Sequence, residues 1–362
     1  MKIVHLTNVH PRQDVRIFLK QCCSLSRAGH EVALIVADGL GNETVEGIRI
    51  VDVGRARGGR VARMTLTVAR VLRAAVKEAA AVYHVHDPEL LSAGIALRLR
   101  GHRVIYDAHE DLPRQILAKT YLPRWTRQMI SSVAEWIEEG AASFMSGIVA
   151  ATPLIGRRFA AGQRRVAVIC NYPLLQPVCP QATRERTVCY QGALTRARGL
   201  LTMVQAMEQV DGQLLLAGRF AEPGLEAQAR AQKGWAHVRY LGQLHPQALA
   251  QAMSGCRAGL VVLHPERNYI EAIPTKLFEY MAMEMPVIAS DFPAWRQWVI
   301  DGECGQCVDP EDSTAIARAI QRVFEHPEEA AAMGRNGRRM VEERYNWQTE
   351  ERALLAFYQE LT

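Results

Sequence analysis

The sequence has no run of the roughly 18 apolar residues that a membrane-spanning helix requires. Its longest uncharged stretch, Gly140 to Gly156, is broken by Ser143, Ser146, Thr152 and Pro153. That stretch reads as a helix end followed by a buried strand. The opening MKIVHLTNVH turns polar too soon for the core of a secretory leader, so an intracellular protein is expected. No Asp-x-Asp pair is available to hold a divalent cation. The eight cysteines, at 22, 23, 170, 179, 189, 256, 304 and 307, are scattered through a long chain instead of framing a short one. Reduced thiols in the cytosol follow. Cys304-Gly-Gln-Cys307 is a solitary CxxC, and a four-ligand zinc site would need partners from elsewhere. No recognised nucleic-acid-binding module occurs, so a nucleic-acid partner is not expected.

A chain of 362 residues exceeds what one hydrophobic core usually supports. Apolar segments at 2–6, 31–36, 48–53, 82–86, 103–108, 147–152 and 166–170 read as strands, with helical patterns between most of them. Residues 171–186, carrying three prolines, read as a linker. A second alternation uses 187–192, 213–218, 237–242, 259–264 and 286–290 as strands and ends in helices. Such alternation predicts α/β architecture with two parallel, doubly wound sheets, whose ligand sites lie beyond the carboxyl ends of the strands.

Charge is unevenly divided: residues 1–165 carry a net +9 and residues 166–362 a net −4. Between Gly54 and Lys77 there are seven basic residues and no acidic one. Arg60, Arg63, Arg70, Arg73 and Lys77 fall on one side of a helix, opposite Val61, Met64, Val68, Val71, Leu72 and Ala75. Helix 60–77 could thus offer a cationic face to an anionic membrane surface, and Leu66 among the arginines adds an exposed apolar residue. A solvated arginine-rich face is the alternative. No aromatics interleave with the stripe, as nucleic-acid binding would favour.

The most informative stretch is EAIPTKLFEYMAMEM, residues 271–285. Glu271 precedes Pro274, which suits a first helical position, and Glu279 lies on the helix eight positions after Glu271. The free amides of the first turn form an anion site, and Lys276 sits in that turn, where the helix dipole disfavours a cation unless something negative is close. Strand-like CRAGLVVLHP (256–265) precedes and PVIAS (286–290) follows. Eight helical residues span about 12 Å, too far apart for an acid and nucleophile pair at about 5 Å, so the two glutamates read as binding residues.

This stretch resembles the Glu-x7-Glu element of the group 1 glycosyltransferases (glycosyltransferase family 4), and the resemblance extends over essentially the whole chain. It implies the GT-B architecture: an acceptor-binding domain at 1–170, the linker at 171–186, a nucleotide-sugar-binding domain at 187–346 across a cleft, and a helix at 347–362 crossing back to the first domain. It also implies that Glu271 holds donor-sugar hydroxyls and Glu279 the ribose, with Ile273, Pro274, Thr275 and Lys276 lining the phosphate site. YQGALTRARGL (190–200) resembles the loop that grips the donor diphosphate, with Gly192 and Arg198 as its glycine and cation. Ala193 stands where many relatives carry a second basic residue, a contact that Arg196 or Lys276 could replace. DGECGQCVDP (301–310) is similar to the glycine turn after the donor helix.

In the first domain, TNVHPRQDVRI (7–17) lacks the paired glycines frequent in relatives and is similar to a subgroup with His-Pro-x-x-Asp-x-Arg. His10, Asp14 and Arg16 become acceptor-side candidates, although Asp14 and Arg16 could simply pair with each other. Asp87 reads as an N-cap ahead of Pro88. His84 and His86 alternate on one strand without an evident third metal ligand, and His86 could face the cleft. His109 in YDAHEDLP matches a histidine near the donor sugar, with Glu110 and Asp111 beside it.

The expected reaction is transfer with retained configuration from a nucleoside-diphosphate sugar, UDP-sugar favoured. Arg198, Lys276 and helix amides would stabilise the leaving phosphate without metal or other cofactor, with His109 and Glu271 in the catalytic set. The expected acceptor is a lipid-linked saccharide or glycolipid for bacterial surface polysaccharide such as lipopolysaccharide, at the inner face of the cytoplasmic membrane. A sugar-nucleotide 2-epimerase of similar shape and a non-catalytic membrane-associated scaffold are the competing readings.

Overall fold

The computed structural model describes residues 1–55, 59, 62–109, 111–117, 123–162, 165–177 and 184–361. The chain forms two compact units, one of Met1–Asn171 with Trp347–Thr362 and one of Tyr172–Asn346.

In the first unit, eight strands form one sheet: β1 (Lys2–Leu6), β2 (Glu31–Val36), β3 (Glu43–Val45), β4 (Ile48–Asp52), β5 (Val82–Val85), β6 (Arg103–Ala108), β7 (Gly147–Ala150) and β8 (Val166–Val168). Their order is β3-β4-β2-β1-β5-β6-β7-β8, and only β3 runs antiparallel. Helices cover the sheet, so β5, β7 and most of β1, β2 and β6 are buried along their length, as parallel strands generally are. The direction of winding reverses between β1 and β5. At such a switch point the flanking loops diverge and leave a crevice at the strands' carboxyl ends.

The second unit contains β9 (Thr187–Gln191), β10 (Gln213–Ala217), β11 (Val238–Tyr240), β12 (Ala258–Val261), β13 (Val287–Ser290) and β14 (Gly305–Val308). Their order, β11-β10-β9-β12-β13-β14, is the dinucleotide-binding arrangement, with its switch between β9 and β12. Two strands depart from the sequence reading. β3 is three residues long and mostly exposed, so it carried little apolar signal. β14 falls within the segment read as a glycine turn: the turn occupies 301–304, and the half-buried CxxC end pairs with β13. Cys304 is buried and its Sγ contacts the Trp298 carbonyl, and burial pushes its thiol up to about 12.

The helix read at 60–77 runs as a π-helical Arg63–Thr67 followed by Val68–Glu78, while Arg60 and Val61 lie outside the described residues. Val68, Val71 and Ala75 are buried, but the opposite stripe is not uniformly a free cationic face. Arg63 pairs with Glu89 at 2.7 Å, and Arg70 donates to the Val53 carbonyl at 2.9 Å. Arg73 and Lys77 remain exposed.

The helix Trp347–Leu361 belongs to the first unit. Its Tyr358 hydroxyl bonds His84 at 2.7 Å, its Trp347 indole donates to Ser24, and Glu350 accepts the Cys170 amide at 2.6 Å.

Close packing in the second unit makes one residue a direct test. A Cβ on Gly259 of β12 would lie 2.1 Å from the Tyr280 ring, whose hydroxyl accepts the Gln191 amide. Gly259→Ala should destabilise the unit by about 1–3 kcal/mol, read as a lower urea midpoint; an unchanged midpoint would show that the helix carrying Tyr280 shifts freely.

Candidate active site

In the second unit, β9 ends at Gln191 and the chain turns through Gly192, at φ +122°, into a short 3₁₀ turn Arg196–Arg198. Thr195 caps that turn by accepting the Arg198 amide at 3.2 Å. Gly199, at φ +73°, then starts the helix Leu200–Ala206, and a Cβ there would stand 2.1 Å from the Val262 carbonyl. Only glycine lets this loop lie against the end of β12. The face of Gly192 that lacks a side chain is flanked by two cations: a Cβ there would meet Lys276 Nζ at 3.0 Å and Arg198 Nη1 at 3.5 Å.

Lys276 lies on the helix Thr275–Ala282, donates to the Tyr190 hydroxyl at 3.1 Å and sits 4.2 Å over that ring. Burial, and next the Arg198 charge, lower its pKa to about 7 against a smaller opposing pull from Glu279. Two half-buried cations repel unless an anion joins them or one sheds its proton. The arrangement therefore suits a diphosphate. Glu279 accepts from the Gln191 side chain, and the loop before the helix is fixed by the Trp295 indole, which donates to Ala272.

Pro274 occupies the cap position rather than the first helical position, because its ψ of 104° is extended, and the helix begins at Thr275. Ile273 and Thr275 are half-buried beside it, and Glu271 is exposed at the end of the preceding turn, Arg267–Ile270. Arg196 is not brought to this site. Its amide and guanidinium go to Glu222, and it also contacts Gln228, both on the exposed surface.

In the first unit, a cluster forms beyond β1 and β5. The Asp87 carboxylate accepts from Thr7 Oγ1 at 2.8 Å and the Asn8 amide at 2.7 Å, and lies 3.3 Å from His10 Nε2. The expected capping role is thus replaced: Asp87 makes no side-chain cap bond to its own helix. Asp14 does cap its own helix, Val15–Cys22, accepting from the Arg16 and Ile17 amides, with His10 Nδ1 3.6 Å away. Hydrogen bonds to Asp14 and Asp87 raise His10 to about 10. His109 faces it, Nε2 to Nε2 at 3.0 Å, and burial lowers its pKa. His10 is the charged donor and His109 the neutral acceptor.

Arg16 points inward and does not pair with Asp14. Its guanidinium forks onto Asp107 at 2.8 and 3.0 Å and reaches the Ile169 carbonyl at 2.9 Å. His86 is likewise fully buried, 3.2 Å from Asp107 and 2.8 Å from His5. Burial works against the Asp107 charge, but Arg16 and His86 hold it well below the usual carboxylate range. Glu110 lies outside the described residues, and Asp111 contacts Arg114 and Arg158. Among the described residues three donor sets lie close enough to converge on a cation, His5/His84/His86, His10/Asp87/His109 and His86/Asp107/His109. Several of their nitrogens already bond neighbours, while His84 Nε2 and His86 Nδ1 make no hydrogen bond. His5, Asp107 and Tyr190 were missed by the sequence reading. For His5 and Asp107 the available signal was a polar residue inside an otherwise apolar strand.

Two parallel-sheet units, each with polar groups gathered at its own switch point, define the GT-B class of fold. Residues 16–172 match the family described as Glycosyltransferase Family 4, and residues 176–340 match Glycosyl transferases group 1. The chain belongs to this glycosyltransferase family. It is similar to a phosphatidyl-myo-inositol mannosyltransferase of Mycobacterium leprae, 28% identical over 86% of this chain and 83% of the relative. An MMP alpha-(1->4)-mannosyltransferase of Mycolicibacterium hassiacum is 23% identical over 76% and 70%. Sucrose-phosphate synthase of Thermosynechococcus elongatus shares the fold at TM-score 0.77, with 21% identity over 99% of this chain and 98% of that one. Anabaena HepE in complex with UDP-glucose shares it at TM-score 0.75, with 17% identity over 99% and 100%.

Two outcomes test the first-unit cluster. Asp87→Asn should move the His10 titration, followed by imidazole NMR, from about 10 back toward the ordinary value; a titration left in place would remove Asp87 as its partner. Because the folded pKa is raised, this contribution to stability is present below about 6.5 and is lost as pH rises through about 10. Arg16→Met should cost about 3–5 kcal/mol in urea unfolding by leaving Asp107 buried without its cation, and a loss under 1 kcal/mol would contradict that pairing.

Proposed function

We propose that this glycosyltransferase moves a sugar from a nucleoside-diphosphate sugar, UDP-sugar foremost, to a lipid-linked saccharide or glycolipid, with retained configuration. The observation that carries the donor assignment is the pair of cations around Gly192. As the bond from anomeric carbon to phosphate breaks, negative charge grows on the diphosphate, and fixed positive charge there lowers the barrier. Arg198 keeps its charge throughout, and Lys276 takes up a proton as the anion arrives. Lys276, rather than Arg196, supplies the contact that Ala193 cannot make. These groups lead us to propose a reaction that needs no metal.

By family resemblance, Glu279 receives the ribose and Glu271 the sugar hydroxyls. His109, neutral and held by charged His10, is assigned to the glycosyl side, and His10 with Asp14 to the acceptor side. Arg16 and His86 are positioning residues, since both are buried against Asp107. The lipid nature of the acceptor is supported by relatives named for phosphatidyl-myo-inositol. We place the reaction at the cytoplasmic face of a bacterial membrane, in surface polysaccharide synthesis.

The donor site is testable without knowing the sugar. Lys276 titrates at about 7 in the free protein, so binding UDP should raise it and draw in protons between about pH 7 and 9. Calorimetry in buffers of different ionisation enthalpy should show that uptake, with affinity falling as pH rises, and Lys276→Met should abolish it while weakening UDP roughly 10- to 100-fold. Uptake that persists in Lys276→Met would assign the proton to another group. Glu279→Ala should remove the thermal shift given by UDP-sugars, and transfer should continue in excess EDTA. Activity lost to EDTA and restored by a divalent cation would overturn the metal-free assignment.

A further inference from the structure

The helix Arg124–Ala142 is turned against the usual rule for a water-exposed helix. Such helices bury their apolar stripe and show charge to solvent. Here Glu138 is buried, accepting from the Tyr106 hydroxyl at 2.6 Å and from Arg158 at 2.7 Å, and Ser131 is buried on the Pro113 carbonyl. The outward stripe is Trp125, Met129, Val133, Trp136 and Ile137, spaced as one helical face. Trp125 is 69% exposed and Trp136 77%. Among the described side chains of this helix no charged residue is fully exposed, since Arg127, Glu135 and Glu139 lie half-buried on its flanks.

The neighbouring helices extend this face. The crossovers from β4 to β5, β5 to β6 and β6 to β7 all step in the same direction along the sheet, so right-handed connection puts their helices on one side. The helix Leu91–Leu99 packs between Val68–Glu78 and Arg124–Ala142. Its last residue, Leu99, is 78% exposed, and Arg98 reaches the carbonyl of exposed Phe144 at 2.9 Å. Beside them Arg100 and Arg103 are exposed, and no acidic residue occurs from Leu90 to Tyr106. Among the described residues, none of Arg98, Arg100, Arg103, Arg73 and Lys77 is paired with a carboxylate. Leu66, 66% exposed, adds an apolar residue at the Val68–Glu78 end.

We propose that this helical layer is the face by which the protein docks on an anionic phospholipid bilayer. The helix Arg124–Ala142 lies in the interface plane, with Trp125 and Trp136 at headgroup depth and the arginines of the adjoining helix ends on lipid phosphates. Tryptophan suits that depth because its ring is apolar and its N–H is wet. The uncompensated arginines favour a negatively charged sheet over an apolar protein surface, which would leave them without partners. The basic stripe of Arg63 and Arg70, partly consumed by internal bonds, becomes the margin of the surface rather than its centre. This proposal deepens the reading of a lipid acceptor and rests on it.

The test is sedimentation of the full chain with vesicles of phosphatidylcholine alone or mixed with phosphatidylglycerol. The wild type should pellet with the mixed vesicles and far less with the neutral ones. Trp125→Ser with Trp136→Ser, and separately Arg100→Glu with Arg103→Glu, should each weaken binding roughly tenfold or more. Brominated lipid should quench the wild-type tryptophan fluorescence, an observation that needs no variant. A wild type that stays in the supernatant, a tryptophan pair variant that pellets normally, or unquenched fluorescence on bound vesicles would each overturn the proposal. So would sedimentation velocity showing a dimer that Trp136→Ser breaks while vesicles go unbound. UDP binding measured alongside separates the two readings: intact UDP binding without vesicle binding sinks the docking face alone, and vesicle binding without UDP binding sinks the donor site alone.

Discussion

The ion pair between Arg16 and Asp107 is the contact on which the first unit's chemistry depends. It joins the helix after the first loop to the end of β6, and through the Ile169 carbonyl to the segment after β8. A buried pair of this kind is costly to desolvate, and it persists because both oxygens and most guanidinium donors are satisfied. Gln21 donates to the same carboxylate at 2.7 Å, and His86 stands 3.2 Å from it. From His86 the polar chain continues through His5, and Tyr358 then links to His84. The His10–His109 pair is therefore mounted on a polar core, not on loops alone. His109 follows Asp107 by two residues, and its ring nitrogen faces the Asp107 carbonyl at 3.3 Å.

The second unit solves the opposite electrostatic problem. In the first, opposite charges are buried together; in the second, like charges are held close with little between them. Lys276 and Arg198 stay near Gly192 because aromatic hydroxyls and the Tyr190 face share the cost, and because the ammonium can release its proton near neutrality. Glycine at 192 leaves Lys276 and Arg198 beside bare backbone, and glycine at 199 lets the loop lie against the Val262 carbonyl. Such an arrangement leaves positive charge uncompensated, the electrostatic condition that a bound polyanion would relieve.

Much of the architecture was legible in the sequence. Buried parallel strands are continuous apolar runs, and nearly all of them could be picked out from residues such as EVALIV and QLLLAG. β3 and β14 escaped because edge strands need little burial and carry little pattern. The loop after β9 was readable as a loop because its pattern is local: glycine, cation and helix start follow one another within a few residues. In the first unit His10, Asp14, Arg16, His86 and His109 could be singled out but their pairings could not, because these join segments at the ends of β1, β5 and β6, which are far apart in sequence. Asp87 satisfied every local criterion for a cap and was used by Thr7 and Asn8 instead. Arg16 and Asp14, two residues apart, looked like a pair until the fold offered Arg16 a better partner ninety-one positions away. The apolar stripe of Arg124–Ala142 shows the same limit from another side. Periodicity reveals that a helix has two faces, and only burial reveals which one is turned to water.

The membership of the last helix has a consequence for biogenesis. Translation delivers Trp347–Leu361 only after the whole of Tyr172–Asn346 has been made. Until then His84 has no tyrosine hydroxyl, Ser24 no indole, and the Cys170 amide no Glu350 carboxylate. The part of the protein that is synthesised first is accordingly the part that reaches its finished state last. The ribosome's order and the order of structural maturation run in opposite directions.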